Sequence, residues 1–497
     1  MFACMVSFKN RNADKLTMTF RIFNTLTRKI EPFKPLNAKE VGMYTCGPTV
    51  YDFAHIGNLR TYIFQDVLRR WLEHRGFAVK HVMNITDVDD KTIKRSQSEG
   101  ITLNELTHKF EKLFFEDLAV LRIKEPSVRC RATEHIEDMV KLIEQLISKE
   151  IAYVSEDGVY FSIAKFKDYG KLAGLEKSKV KDMKPGQYSR VAADEYEKEE
   201  LRDFALWKFY KPEDGLVFWE TAVGKGRPGW HIECSAMSMK YLGSSFDIHT
   251  GGVDLIFPHH QNEIAQSEAA TGKRFVKYWV HGEHFLVDGQ KMSKSLGNFY
   301  TLRDIAEKGF TPLALRYFFL SGHYKTQMNF TWDALKTAQE TISKLDDFTS
   351  KVKWLIWQLS QGAKPKRKSD GSLELAVKDA AQAFEFYMDE NLDTGQALAS
   401  IHEMIGIANK AIDAGKANAD ELQQVFDLLM AFNKIFDVIT PEEVEISDDE
   451  AELISERERL RAARKYKEAD VLRDTLHKRG LLLEDTPYGA RPKRAKA

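Results

Sequence analysis

The chain of 497 residues has almost no net charge: 73 Lys and Arg stand against 74 Asp and Glu, a formal −1. A globally basic coat for nucleic acid is thereby excluded, and any contact with a polyanion must come from local charge asymmetry. Cysteine is scarce as well. Cys4, Cys46, Cys130 and Cys234 are too few and too scattered for a disulfide framework in a chain this long, so a reducing, cytoplasmic setting is expected. No apolar run reaches the roughly 18 residues of a membrane span, and no membrane association is expected. The opening MFACMVSFKNRNADK lacks the basic and apolar regions of a signal peptide. Internal repeats and low-complexity tracts are missing too.

What is there reads as a folded chain. Hydrophobic residues make up 43%, which argues against a disordered or collagen-like polymer, and the length allows about three domains. Val41 to Cys46 is β-rich and stops at Gly47-Pro48. Ile63, Val67, Leu68, Trp71 and Leu72 then recur at helical spacing up to Gly76, and Phe77 to Ile85 reads as a second strand. Strand, turn, helix and strand form a βαβ unit, the building block of a parallel sheet whose ligands bind at the carboxyl ends of its strands.

Thr102 to Lys149 is helical in pattern. Ile151 to Lys211 holds short strand-like pieces and reads as an insertion. FDIHTGG, from Phe246, restores strand-and-loop character, with Pro258 placed to begin a helix. Thr331 to Ile439 is helical apart from the polar linker Lys364 to Ser372. The acidic stretch Pro441 to Glu450 precedes a final segment, Ala451 to Ala497, with 13 Lys and Arg against 8 Asp and Glu. Ala462, Ala463, Tyr466, Ala469 and Leu472 there fit one helix, followed by a strand-like Leu481-Leu482-Leu483.

Three constellations carry chemistry. His55-Ile56-Gly57-Asn58 lies where a strand hands over to a helix, so backbone N–H groups and the helix dipole converge on any phosphate, His55 can donate to it, and Gly57 lets a nucleotide approach. Alone, such a turn is ordinary capping. Lys291-Met292-Ser293-Lys294-Ser295 offers two ammonium groups and two hydroxyls to a triphosphate; alone, it is a solvated loop. The two together are far harder to explain as coincidence. Third, Cys46, Cys234, His259 and Glu263 make a competent zinc ligand set, with His259 and Glu263 at i and i+4 on one helix face. On spacing alone His260 replaces His259 equally well.

With these residues the chain resembles the class I aminoacyl-tRNA synthetases, whose two signatures read HIGH and KMSKS, and among them the cysteinyl-tRNA synthetases. The matching stretches are YTCGPTVYDFAHIGNLR (Tyr44 to Arg60), NITDVDDKTIKR (Asn84 to Arg95), FALWK (Phe204 to Lys208), RPGWHIECSAM (Arg227 to Met237), GGVDLIFPHHQNEIAQS (Gly251 to Ser267) and KMSKSLGN (Lys291 to Asn298). A weaker match runs through ARKYKEADVLRDTLHKRG and LEDTP. The sequence departs from the family at Asn58, where HIGH has a second histidine and where an amide can donate a hydrogen bond but carries no charge. It also lacks the tryptophan that often follows LEDTP in relatives.

The resemblance implies an α/β fold: a Rossmann-type parallel-sheet catalytic domain with an insertion, an α-helical bundle and a small C-terminal anticodon-binding module. The expected divisions are an N-terminal extension (1–18), dispensable and outside the match, the first catalytic half (19–145), the insertion (146–205), the second catalytic half (206–290), the KMSKS and stem-contact region (291–330), the tRNA-binding bundle (331–440), an acidic linker (441–450) and the module (451–497). It further implies ATP-dependent ligation of L-cysteine to tRNA(Cys) through a cysteinyl-adenylate, by a monomer. His55, Gly57 and Asn58 would lie along ATP, Lys294 and Lys291 at the leaving pyrophosphate, Trp230 beside the cysteine, and Asp254 at its ammonium. One zinc ion would be held by Cys46, Cys234, His259 and Glu263, and Mg²⁺ would accompany ATP. The alternatives are a cysteine–amino-sugar ligase of mycothiol synthesis, which needs no anticodon-binding module, and a non-catalytic RNA-binding paralogue.

Overall fold

The computed structural model describes residues 19–175, 202–293, 296–442 and 444–494. The expected extension 1–18, part of the insertion and Lys294 lie outside the described residues. At the centre is a five-stranded sheet of Glu40–Thr45 (β1), Ala78–Ile85 (β2), Val128–Arg131 (β3), Phe246–Gly252 (β4) and Val276–Gly282 (β5). Its order is β5-β4-β1-β2-β3 and every pair is parallel. Side chains alternate across it: Val41, Met43, Met83, Tyr278 and Val280 enter one core, while Tyr44, Val82 and Trp279 enter the other. The winding reverses between β1 and β4, and the carboxyl ends at such a point leave a crevice for ligands.

Helix Ile56–His74 (α1) follows β1 and buries Ile56, Leu59, Ile63, Val67, Trp71 and Leu72 along one face. Helices Trp230–Leu242 (α2) and His259–Thr271 (α3) cover the opposite face. Pro258 caps α3 rather than forming its first residue. Between 102 and 149 the chain is not continuously helical: helices Leu103–Val120 and Ile136–Ser148 are separated by β3. Pro126 forbids a continuous ladder there, and the run after it pairs with β2. The inserted antiparallel sheet also continues past 205. Its strands Ala152–Val154, Gly158–Phe161, Phe204–Phe209, Gly224–Pro228 and Trp219–Thr221 reach Pro228, because Phe204–Phe209 pairs on both sides. Lys208, at 2.8 Å, and Arg227 tie this sheet to Asp90 of the catalytic domain.

Beyond the catalytic domain, Trp332–Ser360, Ser372–Asp389, Thr394–Asp413 and Ala419–Phe436 form the bundle. A buried charge cluster joins it to α1. Asp66 accepts from Arg70 (2.8 Å) and from Arg316 (2.6 Å), and Arg316 also donates to the carbonyls of Phe436 (2.7 Å) and Leu121 (3.0 Å). One guanidinium thus fastens α1, the end of the Leu103–Val120 helix and the end of the bundle.

The C-terminal segment differs from the single helix read from its sequence. Helices Asp448–Ala462 and Tyr466–Lys478 are separated by a turn in which Arg464 has φ 60°, and Leu481–Thr486 and Gly489–Arg494 close a hairpin. Ala462 and Tyr466 therefore belong to different helices. The acidic stretch is no plain linker either: Ser447 caps the first helix, and Asp448, Asp449 and Glu450 fill its first turn, where the helix dipole favours them. Among the described residues the basic end is held in ion pairs. Arg491 and Lys493 both reach Asp347 of the bundle (3.0 Å each) and Glu484 (3.2 and 2.7 Å), and Arg494 pairs with Glu450 at 2.9 Å.

Burial pushes the Glu484 carboxyl up, but the ammonium groups of Lys493 and Lys351 outweigh it and hold it at about 2. A carboxyl with a depressed folded-state pKa stabilises above its ordinary value of 4.5 and loses that contribution as pH falls through about 2. Docking of the hairpin should therefore persist at pH 5 and fail toward pH 2, and Glu484→Gln should loosen it at neutral pH. Hydrogen exchange of residues 481–494 measures both; equal protection in the variant would contradict this account.

Candidate active site and metal centre

The crevice between β1 and β4 gathers the sequence-predicted residues. His55 is the N-cap of α1, and its Nδ1 accepts from the backbone N–H of Gly57 (3.1 Å) and of Asn58 (3.2 Å). Asn58 Oδ1 accepts in return from the His55 backbone at 3.2 Å, completing a capping box. Because Nδ1 is an acceptor, the ring proton sits on Nε2. Asn58 is thus first a cap. Gly57 has a packing reason beyond nucleotide approach: a Cβ there would lie 2.9 Å from the His55 ring and 3.2 Å from Phe285.

The segment just after the Lys/Ser loop packs against the start of α1. Phe299 packs its ring edge-on to His55 at 5.0 Å, the Ile56 N–H donates to the Tyr300 carbonyl (2.9 Å), and His55 bridges to Thr301. Lys291 is exposed at the start of the loop, in the two-residue strand Gln290–Lys291. Asn298 closes that loop by accepting from the Ser293 N–H (2.8 Å) and donating to the Lys291 carbonyl (3.2 Å). Lys294 lies outside the described residues. Arg60 holds the approach to the loop, donating to the carbonyls of Glu283 (2.6 Å), His284 (2.8 Å) and Thr326 (2.6 Å), and burial lowers its pKa to about 10.

Cys46 directly follows β1, Cys234 lies one turn into α2, and His259 and Glu263 line one face of α3; their ligating atoms all lie within 4.8 Å of one another. Cys46 Sγ is 3.9 Å from Cys234 Sγ and 4.0 Å from Glu263 Oε1, and His259 Nε2 is 3.1 Å from that oxygen. Two thiolates on a tetrahedral ion, each at about 2.3 Å, sit roughly 3.8 Å apart, so the donor set fits a metal. A second grouping, Cys46, His249, His260 and Glu263, shares two members with the first. His260 Nε2 is 3.3 Å from Cys46 Sγ, and the choice left open by spacing is thus open in geometry also.

Electrostatics distinguish the two. Burial pushes Cys234 up, but its hydrogen bond with Cys46 and the neighbouring His259 bring it down to about 6. Burial alone would lower His259, yet Cys234 and Glu263 raise it to about 10. Burial would raise Glu263, and His249 and His259 hold it at about 2. These three shifts all run toward the charged forms of the groups. His260, by contrast, is driven well below its ordinary range by burial and the surrounding histidines.

A second layer orients these groups. His249 Nε2 lies 2.9 Å from Glu263 Oε2, His231 Nδ1 lies 2.9 Å from His259 Nδ1, and His260 Nδ1 lies 2.7 Å from His281 Nε2. Trp230 stands over His259, ring centroids 4.3 Å apart, and Asp254 is exposed nearby, close enough to Cys46 to act on it electrostatically. His231, His249, His281, Arg60 and Asn298 were not legible as functional. For the first four the only signal was a polar residue inside an otherwise buried strand or helix, and Asn298 lies in the loop itself.

A nucleotide-type crevice flanked by a His-capped helix and a Lys/Ser loop defines a class I tRNA synthetase, and residues 32–340 match the family model of the class I tRNA synthetase (C) catalytic domain. The fold is similar to Mycobacterium tuberculosis methionyl-tRNA synthetase bound by methionyl-adenylate (TM-score 0.59, 15% identity, 80% of this chain and 90% of that one). It is also similar to Agrobacterium radiobacter K84 LeuRS in a ternary complex (TM-score 0.59, 11% identity, 81% and 85% covered). Within that class the chain belongs to the cysteine–tRNA ligase family. It is 45% identical to the cysteine–tRNA ligase of Protochlamydia amoebophila and 46% identical to that of Brachyspira hyodysenteriae, each over 95% of this chain and 98% of the relative.

Gly57→Ala should displace the His55 ring and weaken ATP binding while leaving the fold intact. Calorimetric titration with ATP against far-UV dichroism tests this; unchanged affinity would remove the role given to the cap.

Proposed function

We propose that the chain ligates L-cysteine to tRNA(Cys) using ATP, through a cysteinyl-adenylate. The observation that carries this reading is the coincidence of two thiols with a His/Glu helix pair, beside a HIGH-like turn that packs against the segment following KMSKS. The full-length kinship with cysteine–tRNA ligases supports it, and favours tRNA over an amino sugar because the relatives extend through the C-terminal module.

In the first step the cysteine carboxylate attacks the α-phosphorus in line; a carboxyl O–P bond forms, the bond to the β-phosphate oxygen breaks, and pyrophosphate leaves with the electron pair. The protein's task is to position and neutralise. His55 offers its Nε2–H to the phosphates, the α1 N-terminus adds its dipole, and Asn58 holds the cap that aims the ring. Lys291 and Lys294 meet the charge that develops on pyrophosphate. Trp230 flanks the cysteine, and Asp254 receives its ammonium. In the second step the terminal ribose hydroxyl of tRNA attacks the activated carbonyl and AMP leaves.

We assign one zinc ion to Cys46, Cys234, His259 and Glu263, the grouping that includes both thiols. When bound it supplies a soft acceptor for the substrate sulfur, where an apolar pocket would separate cysteine from its neighbours in size by only about 1–3 kcal/mol. Magnesium would accompany ATP. The reading takes the protein as a cytoplasmic monomer. Among the described residues no helix is long and apolar enough to cross a membrane.

The direct test is cysteine-dependent ATP–pyrophosphate exchange with serine as competitor, with and without a zinc chelator, followed by charging of tRNA(Cys). Exchange indifferent to cysteine would overturn the reading. Cys234→Ser should lose zinc and raise the cysteine KM at least tenfold with ATP binding retained, as metal analysis and exchange kinetics will show. Asn298→Ala should slow exchange about tenfold with the cysteine KM unchanged, since it removes only the clasp of the loop; a change confined to the cysteine KM would place Asn298 elsewhere.

A further inference from the structure

A chain of buried hydrogen bonds between the two cysteines takes no part in the steps above. Cys46 leads into a loop pinned to the end of β2: the Gly47 N–H donates to Asn84 Oδ1 (2.9 Å), the Thr86 N–H to the Pro48 carbonyl (3.1 Å) and the Val50 N–H to the Thr86 carbonyl (3.1 Å). The approach is so close that a Cβ on Gly47 would fall 1.7 Å from the Asn84 carbonyl oxygen. From there the chain crosses to α2. Asn84 Nδ2 donates to Thr86 Oγ1 (3.2 Å), and Thr86 Oγ1 donates to Glu233 Oε2 (2.9 Å). Glu233 immediately precedes Cys234.

The direction of this chain is fixed. Asn84 spends its carbonyl oxygen on Gly47 and its amide on Thr86, and Thr86 has a single proton, which goes to Glu233. All three side chains are buried, Glu233 completely. Glu233 Oε1 has no hydrogen-bond partner, so Oε2 is the atom through which that carboxyl is held. Helix α2 begins at Gly229 without a side-chain cap, which leaves its first turn to be fixed by contacts such as this one. The residue after one thiol and the residue before the other are therefore coupled through three side chains.

We propose that Asn84, Thr86 and Glu233 are positioning residues that set the separation of Cys46 and Cys234, and through it the affinity of the centre for a thiophilic divalent ion and its preference for cysteine over serine. This rests on the zinc assignment above. A thiol pair held at 3.9 Å is near the spacing that a tetrahedral ion imposes. Residues beyond the ligands that orient them commonly carry a 10- to 100-fold share of metal affinity.

The test compares Thr86→Val, which keeps the shape but removes the proton, with Thr86→Ser and Glu233→Gln, which keep the hydroxyl and the accepting oxygen. Zinc affinity is measured on each purified full-length protein by competition with a chromophoric chelator, with the KM for cysteine and for ATP in pyrophosphate exchange. Thr86→Val should bind zinc about tenfold more weakly and raise the cysteine KM with that of ATP unchanged; Thr86→Ser and Glu233→Gln should stay within about threefold of the parent. Parental zinc affinity in Thr86→Val would overturn the proposal. So would a loss in Glu233→Gln equal to that in Thr86→Val, which would make the carboxylate charge the cause, or an equal rise in both KM values, which would indicate general loosening. A parent that took up no zinc would instead refute the assignment on which the proposal rests.

Discussion

A carboxylate with no access to water constrains the whole centre. Glu263 is fully buried, and an isolated charge there would be far too costly unless partners met both oxygens. His249 meets one oxygen and His259 the other. Those imidazoles are fixed in turn by their own neighbours, and the two thiols lie on the same side as His259. The cavity is polar at its floor because it is built to hold a positive charge. In the proposed holoenzyme that charge is a divalent ion.

The nucleotide half uses a different device. Here the positive potential comes from the dipole at the start of α1, whose first amides are capped by His55 Nδ1, and His55 and Asn58 lock each other in place there. The bridge from His55 to Thr301 brings the segment after the lysine loop against this helix start. Asp66 and Arg316 then fix α1 to the bundle, so the parts that would meet the two ends of a long ligand share one rigid helix. The C-terminal hairpin is docked by the buried Tyr488, whose hydroxyl donates to the Ala417 carbonyl, as well as by the ion pairs of Arg491 and Lys493 with Asp347.

Much was legible beforehand. The βαβ beginning, the insertion, the helical stretch after Thr331 and both signature motifs depend on local periodicity, turn residues and spacing, which a linear reading detects. The errors arose where pairing with a distant segment won. β3 interrupts an apparently helical stretch because it completes the sheet beside β2, and the inserted sheet runs on to Pro228 because its strands find partners across a long connection. The two short helices replacing one near the C-terminus turn on a single residue, Arg464, in a left-handed conformation.

For the site, the sequence by itself determined the donor types: two cysteines, a histidine and a glutamate on one helix face, and a histidine and lysines at opposite ends of the catalytic domain. Resemblance among motifs then assigned them a chemistry. Only the tertiary structure decided that Cys46 and Cys234, 188 positions apart, lie 3.9 Å from each other, and that five further side chains, His249, His231, His281, Arg60 and Asn298, support them and the loop. Such distances follow from the strand order and the packing of α2 and α3 on the sheet. Those are set by the burial of apolar faces over the whole domain, an interaction without sequence-local signature, and so the supporting residues could not be read from the chain alone.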